Sequence, residues 1–255
     1  MPKIIGIVPA RMKASRFPGK PLFPILGRPL VEHVYQRAKT YDKFDGLFVA
    51  TCDEEIKDAA EAFGATVIMT ADTHTRALDR VAEAAGKCGI DLADDDIVIN
   101  VQGDEPMMEP AMIEASYQPL LDDPKADCTL LAMEIRDEAT YHDPNALKVV
   151  WNMAGDVLYT SRSPIPYCKQ FSPELGAVRI YGIFAFRWHF LQTFTKMPES
   201  PLELVEACDS NRIMDNGYIQ KVAHYPWRKS FSVDSREDAA RVEAAMKEDP
   251  LWGTY

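Results

Sequence analysis

Arg11, Lys13, Arg16 and Lys20 share one short stretch, "ARMKASRFPGK", behind an Ile- and Val-rich run, in a chain whose formal net charge is −11. Main-chain amides around a glycine, here Gly19, together with several cations suit polyphosphate, because they replace the water that solvates its oxygens. The spacing is neither GxxxxGK[ST] nor GxGxxG, so the stretch is neither a P-loop nor a dinucleotide fingerprint. Further along, "NVQGDEP" ends an apolar run with Asp104 and Glu105. A carboxylate at a strand end opposite a phosphate loop is a natural Mg²⁺ ligand, since the ion bridges carboxylate and phosphate oxygens. Asp234 in "SFSVDSRED" is a second acid ending an apolar run and a candidate partner for Asp104. Together these features suit nucleotidyl transfer, in which an acceptor oxygen attacks the α-phosphate of a nucleoside triphosphate and pyrophosphate leaves. Such chemistry asks for positioning, charge neutralisation and a metal.

Those residues must be held by something, and the hydropathy pattern says what. "KIIGIVP" reads as a strand buried on both faces, "LVEHVYQRAKTY" as a helix and "GLFVATCD" as a second strand. The alternation continues through helix "EEIKDAAEAFG" with Gly64 as its cap, strand "TVIMT", helix "LDRVAEAAGKCG" and strand "DIVINVQGDEP". Strands separated by helices predict a parallel sheet with right-handed crossovers, and ligands of such sheets gather at the carboxyl ends of the strands. The cationic loop and "QGDEP" both fall at that edge and are expected to face each other. From about residue 120 the runs "DCTLLAMEI", "ALKVVWN", "DVLYTSRSPIP" and "VRIYGIFAFR" read as strands, a β-rich subregion on a mixed sheet. Residues 201–216 read as one helix, "YIQKVAHYP" as a strand, and "SREDAARVEAAMKED" as a closing helix with Ser235 as N-cap. The reading is a single domain over 1–255, with a nucleotide-binding part to about 120, an acceptor and dimerisation part over about 121–230, and the closing helix over 231–255.

Composition sets limits on partners. An acidic chain with pI near 5.0 lacks the basic face that nucleic acid or an anionic membrane requires. Five scattered cysteines without a CxxC pair predict neither a zinc site nor a redox motif and fit the reducing cytoplasm.

In order along the chain, "VPARMKASRFPGKPL", "INVQGDEP", "DPNALKVV", "LYTSRSPIP" and "VDSRED" resemble the CMP-Kdo synthetase family, the 3-deoxy-manno-octulosonate cytidylyltransferases. The resemblance implies a Rossmann-like α/β nucleotidyltransferase fold, a homodimer formed through the β-rich region, and Mg²⁺-dependent reaction of CTP with a sugar acid. It implies that Arg11 and Lys20 hold the CTP phosphates, with Pro9, Ala10 and Arg16 in the same loop, and that Asp104 and Asp234 bind Mg²⁺. Gln102 would sit beside both nucleotide and acceptor, and Arg80 would face the nucleotide. Arg162, Arg179 and Asp209 would serve the acceptor acid.

The departures from the family pattern cluster. Arg76, Ala77 and Leu78 stand in place of Ser, Gly and Thr, Ile180 and Phe184 in place of a His and a Tyr, and Ser210 and Asn211 in place of Gln and Leu. Loss of two hydrogen-bonding groups from an acceptor pocket costs affinity for a polyhydroxylated sugar, roughly 1–3 kcal/mol for each buried hydroxyl left without a partner. A small phosphonate acid such as phosphonoformate is therefore an alternative acceptor. A sugar-1-phosphate pyrophosphorylase is disfavoured by the "PAR" loop. A non-catalytic subunit has no physical need for the combined set of Arg11, Lys20, Asp104 and Asp234.

Overall fold

The run behind the cationic loop forms β1 (Ile4–Pro9), buried at every position. In the computed structural model, which describes residues 1–13 and 17–255, the chain divides into two units, Met1–Ile113 with Lys229–Tyr255, and Glu114–Arg228. Arg16 lies outside the described residues.

In the first unit a 3₁₀ turn over Lys20–Leu22 leads into a small hairpin of β2 (Pro24–Ile25) and β3 (Arg28–Pro29). Next come α1 (Leu30–Lys39), β4 (Gly46–Thr51), α2 (Glu54–Ala62), β5 (Thr66–Met69), α3 (Ala77–Lys87) and β6 (Ile97–Val101). β1 pairs in parallel with β4 and β6, and β4 in parallel with β5, as the alternation of strand and helix predicts. Gly64, at φ +82, follows α2 in the left-handed conformation expected of its cap. α4 (Pro110–Asp122), unread in the sequence, carries Pro119 inside it.

The second unit contains β7 (Cys128–Glu134), α5 (Glu138–His142), β8 (Lys148–Trp151), β9 (Val157–Ser161), β10 (Val178–Arg187), α6 (Trp188–Phe194), α7 (Pro201–Glu206), α8 (Ser210–Asp215) and β11 (Gln220–Tyr225). β10 is antiparallel to β7 and β8, β8 is antiparallel to β9, and β11 is parallel to β7. The sheet is thus mixed, with its β-rich part where the sequence places it.

One helix expected over 201–216 is two, α7 and α8, because Ala207 takes a left-handed conformation (φ +48). The break has a cause in side chains. The Arg162 guanidinium takes the carbonyls of Glu206 (2.8 Å) and Ala207, which a continuous helix would use internally. Beyond the second unit, α9 (Arg236–Met246) opens with a Ser235/Asp238 capping box. Its Ala239, Val242, Ala245 and Met246 pack with Phe17, Ile25, Leu30, Met107 and Val233 into one core of the first unit.

Candidate active site

β1 ends where the cationic loop begins, and backbone bonds fix that loop at both ends. The Ala10 amide donates to the Ala50 carbonyl on β4 (2.9 Å), and the Gly19 amide donates to the Met12 carbonyl (3.0 Å). Gly19 has φ +75, a conformation that a residue with a β-carbon adopts at a cost. The turn it makes aims Lys20 back across the sheet edge. Lys20 Nζ donates to Asp104 Oδ2 (2.9 Å) and to the Val233 carbonyl (2.8 Å). The loop and "QGDEP" therefore face each other, as expected.

Asp104 follows β6 by way of Gly103, and that glycine is required sterically: a β-carbon there would lie 2.6 Å from the Pro9 carbonyl oxygen. The close approach of the two strand ends sets Asp104 beside the loop. The Val233 amide donates to the Asp104 carbonyl (2.9 Å), which brings the segment carrying Asp234 to the same corner. The Asp234 amide in turn donates to Asp238 in the first turn of α9 (3.2 Å). The Asp104 carboxylate and the Val233 carbonyl that Lys20 holds are hard oxygen donors, the chemistry Mg²⁺ prefers, and Asp234 follows Val233 directly. No group of three or more His, Cys, Asp or Glu side chains placed to hold a metal ion exists among the described residues.

The other residues expected around the nucleotide fall into distinct surroundings. Arg11 Nη1 donates to the His74 carbonyl (3.3 Å) at the exposed edge. Arg80 is buried on α3, donating to Thr70 Oγ1 and Cys52 Sγ, so its guanidinium braces the ends of β4 and β5. Gln102 accepts from the buried Asn100 amide (3.1 Å). The stretch ahead of Arg76 is tied down by Glu83, which accepts from the Ala71 amide, His74 and Lys87. Burial alone would raise the Glu83 carboxyl, yet these hydrogen bonds outweigh it and hold it at about 2.

Sequence reasoning missed Asp53. Its Oδ2 accepts from the Met12 amide (2.8 Å), so an acid at the end of β4 pins the start of the cationic loop. The signal was available, since Asp53 ends its strand as Asp104 does.

In the second unit, Glu206 accepts from Tyr159 and Ser161 hydroxyls (both 2.7 Å) and from the Arg162 amide (2.8 Å). Burial opposes ionisation of this carboxyl, but those three donors prevail and lower it. Arg162 Nε and Nη1 donate to the carbonyls of Glu206 and Pro144 (both 2.8 Å), joining two segments. Arg179 lies over the Tyr181 ring at 5.5 Å, and Asp209 precedes α8. Ile180 and Phe184 pack against Leu130, Ala132, Val149 and Val178. Asn211 is buried and pairs with both the backbone and the hydroxyl of Thr160.

A family profile described as cytidylyltransferase matches residues 5–225. An 8-amino-3,8-dideoxy-manno-octulosonate cytidylyltransferase of Shewanella halifaxensis is 41% identical over 244 residues, covering 95% of this chain and 98% of its own. A 3-deoxy-manno-octulosonate cytidylyltransferase of Syntrophotalea carbinolica is 39% identical over 252 residues, covering 96% and 98%. The chain belongs to the CMP-Kdo synthetase family of cytidylyltransferases. A solved CMP:2-keto-3-deoxy-manno-octonic acid synthetase in complex with CTP superposes with a TM-score of 0.86 at 36% identity, covering 96% of this chain and 99% of the other. The CMP-Kdo synthetase fold, a mixed and mostly parallel sheet flanked by helices, is thereby that of this chain, and the chain is a nucleotidyltransferase. No helix among the described residues is long and apolar enough to cross a membrane.

Proposed function

We propose that the protein transfers CMP from CTP to a Kdo-like 3-deoxy-ulosonic acid in a Mg²⁺-dependent reaction, working as a homodimer in the cytoplasm. The observation that carries this reading is the corner where Lys20 meets Asp104 and the Val233 carbonyl, one residue from Asp234. An acceptor hydroxyl attacks the α-phosphorus of CTP, the bond to the bridging oxygen breaks, pyrophosphate departs with the electron pair, and the hydroxyl proton passes to solvent. Asp104 and Asp234 would hold Mg²⁺, which when bound would supply charge neutralisation for the phosphate oxygens. Lys20 and Arg11, with Arg16, bind the phosphates and stabilise the charge that develops on the leaving group. Pro9 and Ala10 position the loop, Arg80 braces the ends of β4 and β5, and Gln102 orients the reacting groups. We assign Arg162, Arg179 and Asp209 to the acceptor side.

Ulosonic acids are named in the relatives as acceptors, which favours that class over a phosphonate. The test is pyrophosphate release from each of four nucleoside triphosphates with Mg²⁺, using Kdo, its 8-amino analogue and phosphonoformate as acceptors. Release with CTP and an ulosonic acid is expected; release only with phosphonoformate would overturn the acceptor assignment. Asp104→Ala and Asp234→Ala are each expected to lower turnover by at least 100-fold with an unchanged far-UV spectrum, and turnover surviving both changes would remove the two-aspartate metal site.

A further inference from the structure

We propose that Lys20 guards the Asp104 carboxylate against metal, so that the divalent ion enters with the nucleotide and not before it. This rests on the reading of Asp104 and Asp234 as the metal site. The Lys20 ammonium holds Asp104 Oδ2 at 2.9 Å and the Val233 carbonyl at 2.8 Å. Both side chains are largely withdrawn from water, Lys20 at 16% exposure and Asp104 at 19%, so solvent screens the pair less than it would a surface ion pair. The Val233 amide also donates to the Asp104 main-chain carbonyl, so the two segments that present this carboxylate and carbonyl are tied together.

A Mg²⁺ ion sits about 2.1 Å from a ligating oxygen. On Asp104 Oδ2 it would lie no more than about 5 Å from the ammonium, two like charges in a poorly screened corner. Metal and ammonium therefore compete for the same carboxylate. Leaving Asp104 without a replacement would strand the Lys20 charge in a partly buried place, at a cost a bare metal ion does not repay. A nucleotide triphosphate supplies that replacement, because its oxygens are the other anions Lys20 serves. Around Lys20 the backbone is held by the Gly19 amide on the Met12 carbonyl and the Leu22 amide on the Gly19 carbonyl, so the exchange is a swing of the lysine side chain. Binding of nucleotide frees Asp104 and binding of metal frees Lys20, so each raises the affinity for the other.

The test measures Mn²⁺ uptake by electron paramagnetic resonance on wild type, Lys20→Met, Lys20→Arg and Asp104→Asn, with and without CTP. Without nucleotide, Lys20→Met is expected to bind Mn²⁺ at least 10-fold more tightly than wild type, and Lys20→Arg, which keeps the cation, is expected to match wild type. In wild type alone, the part of Mn²⁺ uptake lost in Asp104→Asn is expected to tighten at least 10-fold when CTP is added. Equal affinity for wild type and Lys20→Met, or Asp104-dependent uptake unchanged by CTP, overturns the guard while leaving the metal site standing. Mn²⁺ uptake independent of Asp104 in every condition overturns the metal site and the guard together.

Discussion

A β-carbon at residue 103 would press into the Pro9 carbonyl at 2.6 Å, and a backbone oxygen cannot swing away as a flexible side chain would. Gly103→Ala is therefore expected to cost about 1–3 kcal/mol of stability, as overpacking does. It is also expected to lower turnover by displacing Asp104 from Lys20, and chemical denaturation beside a pyrophosphate assay checks both effects. At this scale the sequence is informative where chemistry needs a residue type at a strand end: the facing of the Lys20 loop and the Asp104 turn follows from topology alone. It is silent where a long side chain spends its donors on backbone. Nothing in "SRSPIP" or "ALDRV" tells that Arg162 grips the carbonyls of Pro144 and Glu206, or that Arg80 lies buried against Thr70 and Cys52. Those partners lie between 10 and 44 residues away in the chain, beyond any local pattern.

Elements show the same division. β1, β4, β5 and β6 are apolar runs bounded by turn residues, and the α9 capping box is written in "SRED". The break between α7 and α8 is not local: Ala207 adopts φ +48 because tertiary bonds from Arg162 claim the helix-ending carbonyls. α4 carries Pro119 inside it, a residue that in sequence argues against a continuing helix. The connection from β5 to α3 depends on ionised Glu83, whose carboxyl falls from an ordinary 4.5 to about 2 in the folded chain. A depressed acid stabilises the fold fully above its unfolded value and loses that contribution as pH falls through the folded one. Unfolding curves of wild type and Glu83→Gln are thus expected to differ at pH 7 and converge as pH falls from about 4.5 to about 2. A stability gap that persists at pH 2 would assign the loop's anchorage to something other than the Glu83 charge.

For the whole molecule, the second unit exposes apolar side chains that water does not favour. Leu202, Leu204 and Val205 all stand out from the short α7, and Leu158 from β9, whose Tyr159 is bonded to Glu206 at the end of α7. Single exposed leucines are ordinary, but three within four residues on one helix mark a surface suited to burial against another chain. If the proposed homodimer forms here, Leu204→Asp with Val205→Asp is expected to shift the protein from dimer to monomer in light scattering after size exclusion. A dimer that persists in the double variant would move the interface elsewhere.

The first unit is discontinuous: residues 1–113 are completed by 229–255, with the whole of 114–228 between them. Ribosomes make chains from the amino end, so the second unit is fully synthesised before the segment holding Val233 and Asp234 exists. Until then the core around Phe17, Ile25 and Leu30 lacks the side chains of α9, and Asp104 lacks the backbone donor that ties its turn. The nascent chain thus carries its cationic loop early but cannot assemble the corner around Lys20 until residues 229–255 have left the ribosome.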